Sequence, residues 1–183
     1  MLPGLATKAV RLQWKSQGLW FEPGDAVRYQ GLGAGRVVRH VTRNFQGRNT
    51  TFAVIDFPHR DMTAQIPLGD PGFASKLRPV ASASSVKRLL MVLREQGNKL
   101  PRTWDGRESY GVVCLREGSP AEWAELLRDY AEARKGGMSI TASDADLVRA
   151  AIQLLAAEYC CAAEVEFEQA WSLVHGAYEK ASL

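Results

Sequence analysis

The sequence predicts an α+β protein of two domains, an N-terminal SH3- or Tudor-like β-barrel followed by a C-terminal all-α helical bundle. Two observations lead to this fold class. Residues 21–80 hold short runs of β-branched and aromatic residues separated by Gly- and Pro-containing turns, which is typical of small barrels. Residues 84–180 hold apolar residues at spacings of three and four between capping residues and glycines, which is typical of helices.

Five short strands are predicted in the first domain. They span residues 26–29, 36–43, 50–57, 62–68 and 77–80. Gly31, Gly33 and Gly35 crowd the loop before the second strand and suit a tight turn. They do not make a dinucleotide-binding fingerprint, because that motif needs a helix directly after the glycines and a β-branched run follows here. The loop between the second and third strands is expected at 44–49.

Helices are predicted through most of the second domain, with about five in all. They span about 86–95, 105–117, 120–135, 143–159 and 165–179. Ser84 or Ser85 is expected to cap the first helix and Asp105 the second. Ser119 begins a capping box, with proline at the first helical position. The third helix carries apolar residues that are expected in the core: Trp123, Leu126, Leu127 and Tyr130.

Charge is distributed unevenly along the chain. Residues 1–107 hold 17 Lys and Arg against seven Asp and Glu, whereas residues 108–183 hold six against 13. A basic front and an acidic tail would orient the molecule in the field of a polyanion. Residues 1–20 contain three cations and no acid, and they lack the continuous apolar run of a secretory signal. Two interpretations of this segment stay open, a flexible basic arm and an extension from an upstream start codon.

The residue pattern indicates neither catalysis nor a cofactor. The three histidines lie far apart without metal-ligand spacing, and no motif of a known nucleophile or phosphate loop occurs. Cys114 lies in an apolar helical run, which predicts a buried thiol, and cysteines without CxxC spacing suit a reducing cytoplasm. No apolar run approaches the roughly 18 residues needed to cross a bilayer. We therefore expect a cytoplasmic protein that is not an enzyme, with no membrane contact, metal or small-molecule substrate.

The segment around Trp104 is the most informative one for function. Lys99, Arg102 and Arg107 flank this single large aromatic. Cations suit a phosphate backbone, and a flat apolar ring suits a base step. Large aromatics are mostly core residues, however. From the residues alone, two interpretations stay open: a DNA-contacting tryptophan and an interhelical core residue.

Several stretches, taken in order, resemble the CarD (CdnL) family of bacterial RNA-polymerase-binding transcription regulators, in particular members from the Thermus–Deinococcus group. The resemblance covers about residues 21–178. It rests on Pro-Gly-Asp-Ala-Val at 23–27, Gly-Ala-Gly-Arg-Val at 33–37, Asp-Phe-Pro at 56–58, Ile-Pro at 66–67, Leu-Pro-Arg-Thr-Trp at 100–104 and the joint at Gly118. No single stretch is diagnostic, but their order and spacing together are specific.

The resemblance implies a function and a set of contacts. In this family the barrel binds the polymerase β subunit, and the helical domain stabilises the open promoter complex. An exposed tryptophan of the helical domain wedges into the minor groove at the upstream edge of the bubble. By resemblance Trp104 is that wedge, and Lys99, Arg102 and Arg107 are candidate phosphate contacts. The implied polymerase-binding surface comprises Arg43, Arg48, Met62, Ala64, Gln65 and Ile66.

Two departures from the family pattern qualify these contacts. One family arginine that is important for the β-subunit contact falls on Arg43, but a second falls on Gln65. Asp105 places an acid beside the tryptophan, which should weaken DNA binding slightly.

A different class of function also stays open: a Tudor-like adaptor that binds only protein, with Trp104 buried in the bundle. A transcription-repair translocase with a similar barrel is excluded, because the chain has no Walker motifs.

Overall fold

Five strands form one antiparallel sheet in the N-terminal part of the protein. The computed structural model describes residues 21–68 and 70–183, so the predicted arm at 1–20 lies outside the described residues. The strands are β1 Ala26–Tyr29, β2 Gly33–Phe45, β3 Arg48–Phe57, β4 Met62–Pro67 and β5 Leu77–Pro79. Their order in the sheet is β4-β3-β2-β1-β5, which makes β4 and β5 the edge strands.

Helices follow the sheet along the chain. A short helix, α1 Pro71–Ala74, precedes β5. Five longer helices then follow: α2 Ala83–Val92, α3 Trp104–Glu117, α4 Pro120–Lys135, α5 Ala142–Ala163 and α6 Phe167–Ala181. The predicted α+β class and the order of sheet before helices are confirmed.

The β2–β3 hairpin is longer than predicted. A loop was expected at 44–49, but only Gln46 and Gly47 form the turn, and Phe45 pairs directly with Arg48. Both turn residues have positive φ, at 52° and 77°. This geometry matches the right-handed twist of two paired strands, so the hairpin continues to its tip. The extension places Phe45 and Arg48 on a strand ladder.

Capping explains where the helices begin. The Ser119 capping box is present as predicted, with Glu122 as its third helical residue. Two other starts differ from prediction. Ser82 rather than Ser84 or Ser85 caps α2. Thr103 rather than Asp105 caps α3, so that Trp104 is the first residue of the helix.

Two apolar cores are joined by a small contact. The sheet core includes Val27, Ile55 and Phe57. The helical core contains the predicted residues Trp123, Leu126, Leu127 and Tyr130, all of which are buried. Between the cores, Ala34 of β2 packs against Ala157 and Cys161 of α5. Small side chains let the sheet approach this helix closely.

Glu158 fastens the connection between sheet and helices. It lies on α5 with 1% of its surface exposed, and its Oε1 accepts a hydrogen bond from the Ala81 N–H at 2.5 Å. Among the described residues, its Oε2 has no hydrogen-bond partner. Burial raises the pKa of this carboxyl, while the Ala81 hydrogen bond and the charge of Arg28 oppose the shift. The ionised form is therefore disfavoured in the folded protein.

This burial makes stability depend on pH. Because the folded-state pKa of Glu158 lies above its ordinary value, its contribution is fully present below that ordinary value. The contribution is lost as the pH rises through the raised pKa. Glu158→Gln replaces the carboxyl oxygen that accepts from Ala81 by an amide oxygen and removes the titratable group. We expect this variant to avoid the loss and so to gain stability over the native protein toward neutral pH. Thermal melting between about pH 4 and pH 8 measures the difference. The exposed Glu132→Gln is the control, and equal pH profiles for both variants would contradict the assignment.

Candidate functional site

Trp104 is exposed at the start of α3. Trp104 is the first residue of this helix, and 46% of its surface is exposed to solvent. The Thr103 side chain accepts a hydrogen bond from the Gly106 N–H and so fixes the helix start. The backbone under the ring is therefore ordered, while much of the ring itself is available for contact.

A second tryptophan occupies the core instead. Trp123 of α4 is 3% exposed, and its indole N–H donates to the Cys114 carbonyl at 3.1 Å. This is the satisfied, buried arrangement that a core tryptophan requires. Trp104 has no such arrangement, so the core interpretation of Trp104 does not fit its position.

Two of the three predicted cations near Trp104 are exposed. Lys99 and Arg102 lie in the extended segment before α3, and both side chains face solvent. In the part of the chain that the structure describes, neither is paired with a carboxylate. Their charges are therefore available to an anion that approaches the tryptophan. Asp105, the next residue of α3, is also exposed and opposes this charge in part.

Arg107 requires a correction. It was predicted to contact phosphate, but it is only 7% exposed. Its guanidinium makes two bonds to the Asp144 carboxylate, with Nε–Oδ1 at 2.8 Å and Nη2–Oδ2 at 3.1 Å. Its remaining nitrogen, Nη1, donates to the Arg102 carbonyl at 3.2 Å. A guanidinium engaged in this way joins α3 to α5 and is not free to bind DNA.

The Arg107–Asp144 pair belongs to a buried network. Asp144 also accepts hydrogen bonds from the Tyr130 hydroxyl at 3.0 Å and from the Thr141 hydroxyl at 2.7 Å. Burial by itself raises the pKa of Asp144, but the hydrogen bonds from Arg107, Thr141 and Tyr130 outweigh it and hold the pKa well below its usual range. Burial and the bond to Asp144 raise the pKa of Tyr130. The network keeps one carboxylate ionised beneath the segment that carries Trp104.

The second set of predicted residues lies along the edge strand β4. It pairs with β3 on one side only. Met62 and Gln65 are exposed, whereas Ala64 is half-buried and Ile66 is only 5% exposed within the sheet core. Ala64 and Ile66 therefore offer a partner chiefly the backbone of this edge strand. Unpaired backbone of this kind is a template for strand addition.

Arg43 and Arg48 lie near the tip of the β2–β3 hairpin. Both are exposed. The Arg43 guanidinium carbon lies 4.7 Å from the centre of the Phe52 ring, which holds the long side chain over the sheet. Phe52 pairs with Pro67 at the end of β4, so the part of the hairpin that carries Arg43 on β2 and Arg48 on β3 extends beyond the edge strand. Met62 lies at the opposite end of β4. The six predicted residues therefore form a strip along the sheet and not one cluster.

Sequence reasoning missed two exposed aromatics beside this strip. Phe45 and Phe73 are each 44% exposed, and they line an open groove of about 820 Å³ with Arg48 and Pro67. Phe45 could have been found from the two-residue turn that follows it. The sequence holds no signal for the exposure of Phe73, which depends on how α1 lies against the sheet.

The chemistry of the described residues does not point to a reactive centre. Burial raises the pKa of the Cys114 thiol to about 11 and that of Cys161 to about 12, which disfavours the thiolate. Cys114 is buried as predicted. Among the described residues, no three His, Cys, Asp or Glu side chains are grouped to hold a metal ion. No described helix is both long and apolar enough to span a membrane.

Comparison with known proteins shows what the chain is similar to. Residues 88–175 match the family model for the CarD C-terminal domain, so the match covers most of α2–α6. The chain is also 24% identical over 138 residues to “Putative transcription factor YdeB” of Bacillus subtilis (strain 168), an alignment that spans 75% of this chain and 89% of that protein. Both findings agree with the family predicted from the sequence motifs. The helical part of this chain is therefore similar to the CarD C-terminal domain, and the chain as a whole is similar to a putative transcription factor.

Proposed function

We propose that this protein docks on the β subunit of RNA polymerase and stabilises the open promoter complex. Trp104 inserts into the minor groove at the upstream edge of the bubble, and Lys99 and Arg102 contact flanking phosphates. The observation that carries this proposal is a half-exposed tryptophan on an ordered helix start, preceded by two exposed cations, Lys99 and Arg102, without carboxylate partners. The resemblance to the CarD family supports it. Arg107 is left out, because its guanidinium is engaged with Asp144.

The protein is expected to prefer melted promoter DNA because insertion of Trp104 costs less energy there than in an intact duplex. An apolar side chain that enters an intact duplex must unstack a base step, at a cost of a few kcal/mol. At the edge of a bubble that cost is lower, because the junction is already open. A protein with higher affinity for one state shifts the equilibrium toward that state by its differential affinity. Little base reading is required, since docking on polymerase and DNA shape supply the position.

The sheet supplies the docking part of the proposal. Residues 21–80 act as an SH3- or Tudor-like domain, and residues 84–180 as the DNA-facing domain. A meander of four strands whose fifth strand returns beside the first is compatible with such a barrel. The β lobe of polymerase adds to the free edge of β4, and Arg43, Arg48 and Gln65 contact it. The site of action is the cytoplasm, on promoter-bound polymerase.

The lifetime of the promoter complex tests the function directly. Open complexes are formed with the cognate polymerase, challenged with a competitor, and their decay is followed with and without this protein. The expected result is slower decay when the protein is present. A protein-binding adaptor without DNA contact would bind polymerase and leave the decay rate unchanged, which would replace the proposed function by that alternative.

Reversal of one charge tests the docking surface. We expect Arg43→Glu to weaken binding to the isolated β lobe by about tenfold or more, because loss of an interfacial cation and gain of a like charge typically cost a few kcal/mol. Calorimetry or a pull-down with the lobe measures this. The control is Arg88→Glu, an exposed residue of α2 with the same charge change. Equal lobe affinity of the two variants would exclude the proposed surface.

A further inference from the structure

A groove separates the sheet from the helices on the side of β1 and β5. It has a volume of about 190 Å³ and is lined by β1, by the segment before β5 and by the C-terminal end of α3. Sites for drug-sized ligands typically have about 300–1,000 Å³. A groove of this size admits one small group of a larger molecule. We call it the basic seam and define it by Arg28, Lys76, Arg78 and Arg116.

The basic seam has a net positive charge. Its lining includes these four cations and a single acid, Glu117, which is paired with Arg116 at 2.7 Å. In the described part of the chain, the other three cations have no carboxylate partner. A neighbouring depression adds Arg60 and shares Arg116 with the seam. Two further carboxyls, those of Glu122 and Glu158, interact with the charge of Arg28, so Lys76 and Arg78 are the least compensated cations of the seam.

Neutral groups hold the side chains of Arg28, Arg78 and Arg60 in place, whereas Arg116 is held by Glu117. The Arg28 guanidinium donates to the Gly118 carbonyl at 3.3 Å and lies 5.5 Å from the centre of the Trp123 ring. Arg78 donates to the Ser75 and Leu77 carbonyls. Arg60 donates to the Leu32 carbonyl at 3.0 Å. Carbonyls and rings orient a cation without cancelling its charge, and fixed arginines lose less freedom on binding a phosphate.

The seam and Trp104 lie at opposite ends of one helix. Trp104 is the first residue of α3, and Arg116 is its penultimate residue. Twelve residues of α-helix measure about 18 Å. Successive phosphates of one DNA strand are about 3.4 Å apart along the helix axis, so this distance corresponds to about five phosphates. A span of this length is short enough for one duplex to contact both ends of the helix.

We propose that the basic seam binds the phosphate backbone of the same duplex, as a second DNA contact one helix length from Trp104. This inference rests on the proposed function, because it takes duplex DNA as the ligand. A polyanion rather than a protein is favoured by the single paired acid and the small volume. Contact at both ends of α3 would set the direction of the duplex relative to the sheet and so to the docked polymerase.

Salt dependence of DNA binding tests the seam. The variant Lys76→Ala/Arg78→Ala/Arg116→Ala and the native protein are titrated against a labelled fork-containing duplex between about 50 and 200 mM salt. The slope of log Kobs against log salt is negative, and each lost phosphate contact reduces its magnitude by about 0.9. We expect the magnitude of the slope to fall by about 2.7 in the triple variant, or about 0.9 for each of the three cations. Arg78→Lys/Arg116→Lys keeps the charges and is expected to keep the native slope.

A matched control separates the seam from overall charge. It removes three exposed cations elsewhere on the helical part: Lys135→Ala/Arg149→Ala/Lys180→Ala. Its net charge change is the same, so a general electrostatic effect would alter both triple variants equally. Equal slopes for the two triples, with melting curves showing both folded, would overturn the proposal. So would a seam variant that loses β-lobe affinity while keeping its DNA slope, since the ligand would then be protein.

Trp104→Ala distinguishes failure of the seam from failure of the proposed function. If Trp104→Ala weakens fork binding and the seam triple behaves like its control, the seam proposal fails and the proposed function stands. If the seam triple loses slope and Trp104→Ala changes nothing, the seam is a DNA contact and the wedge fails. Absence of any salt-dependent binding to the duplex by the native protein would overturn both.

Discussion

Replacing Arg107 by alanine is expected to lower the free energy of unfolding by about 3–5 kcal/mol, the range measured when one partner of a buried ion pair is removed. The change leaves the Asp144 carboxylate buried, with its two guanidinium bonds lost. It also frees the Arg102 carbonyl, which Arg107 holds beneath the Trp104 segment. Urea unfolding followed by tryptophan fluorescence or circular dichroism measures the loss.

The pH dependence of this loss identifies its cause. Asp144 has a folded-state pKa below its ordinary value, so the pair contributes stability above that ordinary value. The contribution is lost as the pH falls through the folded pKa. The difference between native and Arg107→Ala proteins should therefore be largest near neutral pH and shrink in acid. A difference that does not change with pH would point to lost packing of the arginine side chain instead.

Arg102→Ala is the matched control, since both arginines flank Trp104 and only one is buried. A substitution at an exposed position usually changes stability by less than about 0.5 kcal/mol. We expect Arg102→Ala to melt like the native protein and to bind duplex more weakly. If Arg107→Ala also kept native stability while it lost DNA affinity, Arg107 would be a DNA contact and the correction made above would be wrong.

Local signals predicted much of the fold. The period-two strands, the helical spacing in α4 and the Ser119 capping box each act within a few residues, and the structure contains all three. Where several cap residues lie close together, the choice depends on hydrogen bonding that the sequence does not fix. Ser82 caps α2 although Ser84 and Ser85 follow it. Thr103 was overlooked because Asp105 is an equally good capping residue.

The site was less predictable because it depends on distant partners. Lys99, Arg102 and Arg107 look alike in sequence, and only the contact with Asp144, 37 residues further along, separates the last from the others. The basic seam likewise joins residues from β1, β5 and α3. Neither arrangement has a local signal. The exposure of Trp104, by contrast, was implied by the resemblance to the CarD family, since the residues alone also allowed a core position.

Truncation of Trp104 is expected to affect function and not stability. Nearly half of its surface is exposed, so Trp104→Ala should change the free energy of unfolding by less than about 1 kcal/mol. Trp123→Ala is the contrasting variant. It removes a buried indole and its hydrogen bond to Cys114, and the expected loss is about 3–5 kcal/mol. Thermal melting of the two variants side by side tests this difference.

Open-complex decay tests the functional half of the prediction. Stacking of an aromatic ring on a base is worth about 1–3 kcal/mol. If Trp104 contributes that energy only in the open complex, its loss shortens the lifetime of the complex by roughly 5- to 150-fold. Trp104→Phe keeps an apolar ring and should recover part of the lifetime, while both variants keep native affinity for the β lobe. A Trp104→Ala protein that is strongly destabilised, or that supports the native lifetime, would remove the wedge and leave the adaptor function, because docking through β4 does not depend on this side chain.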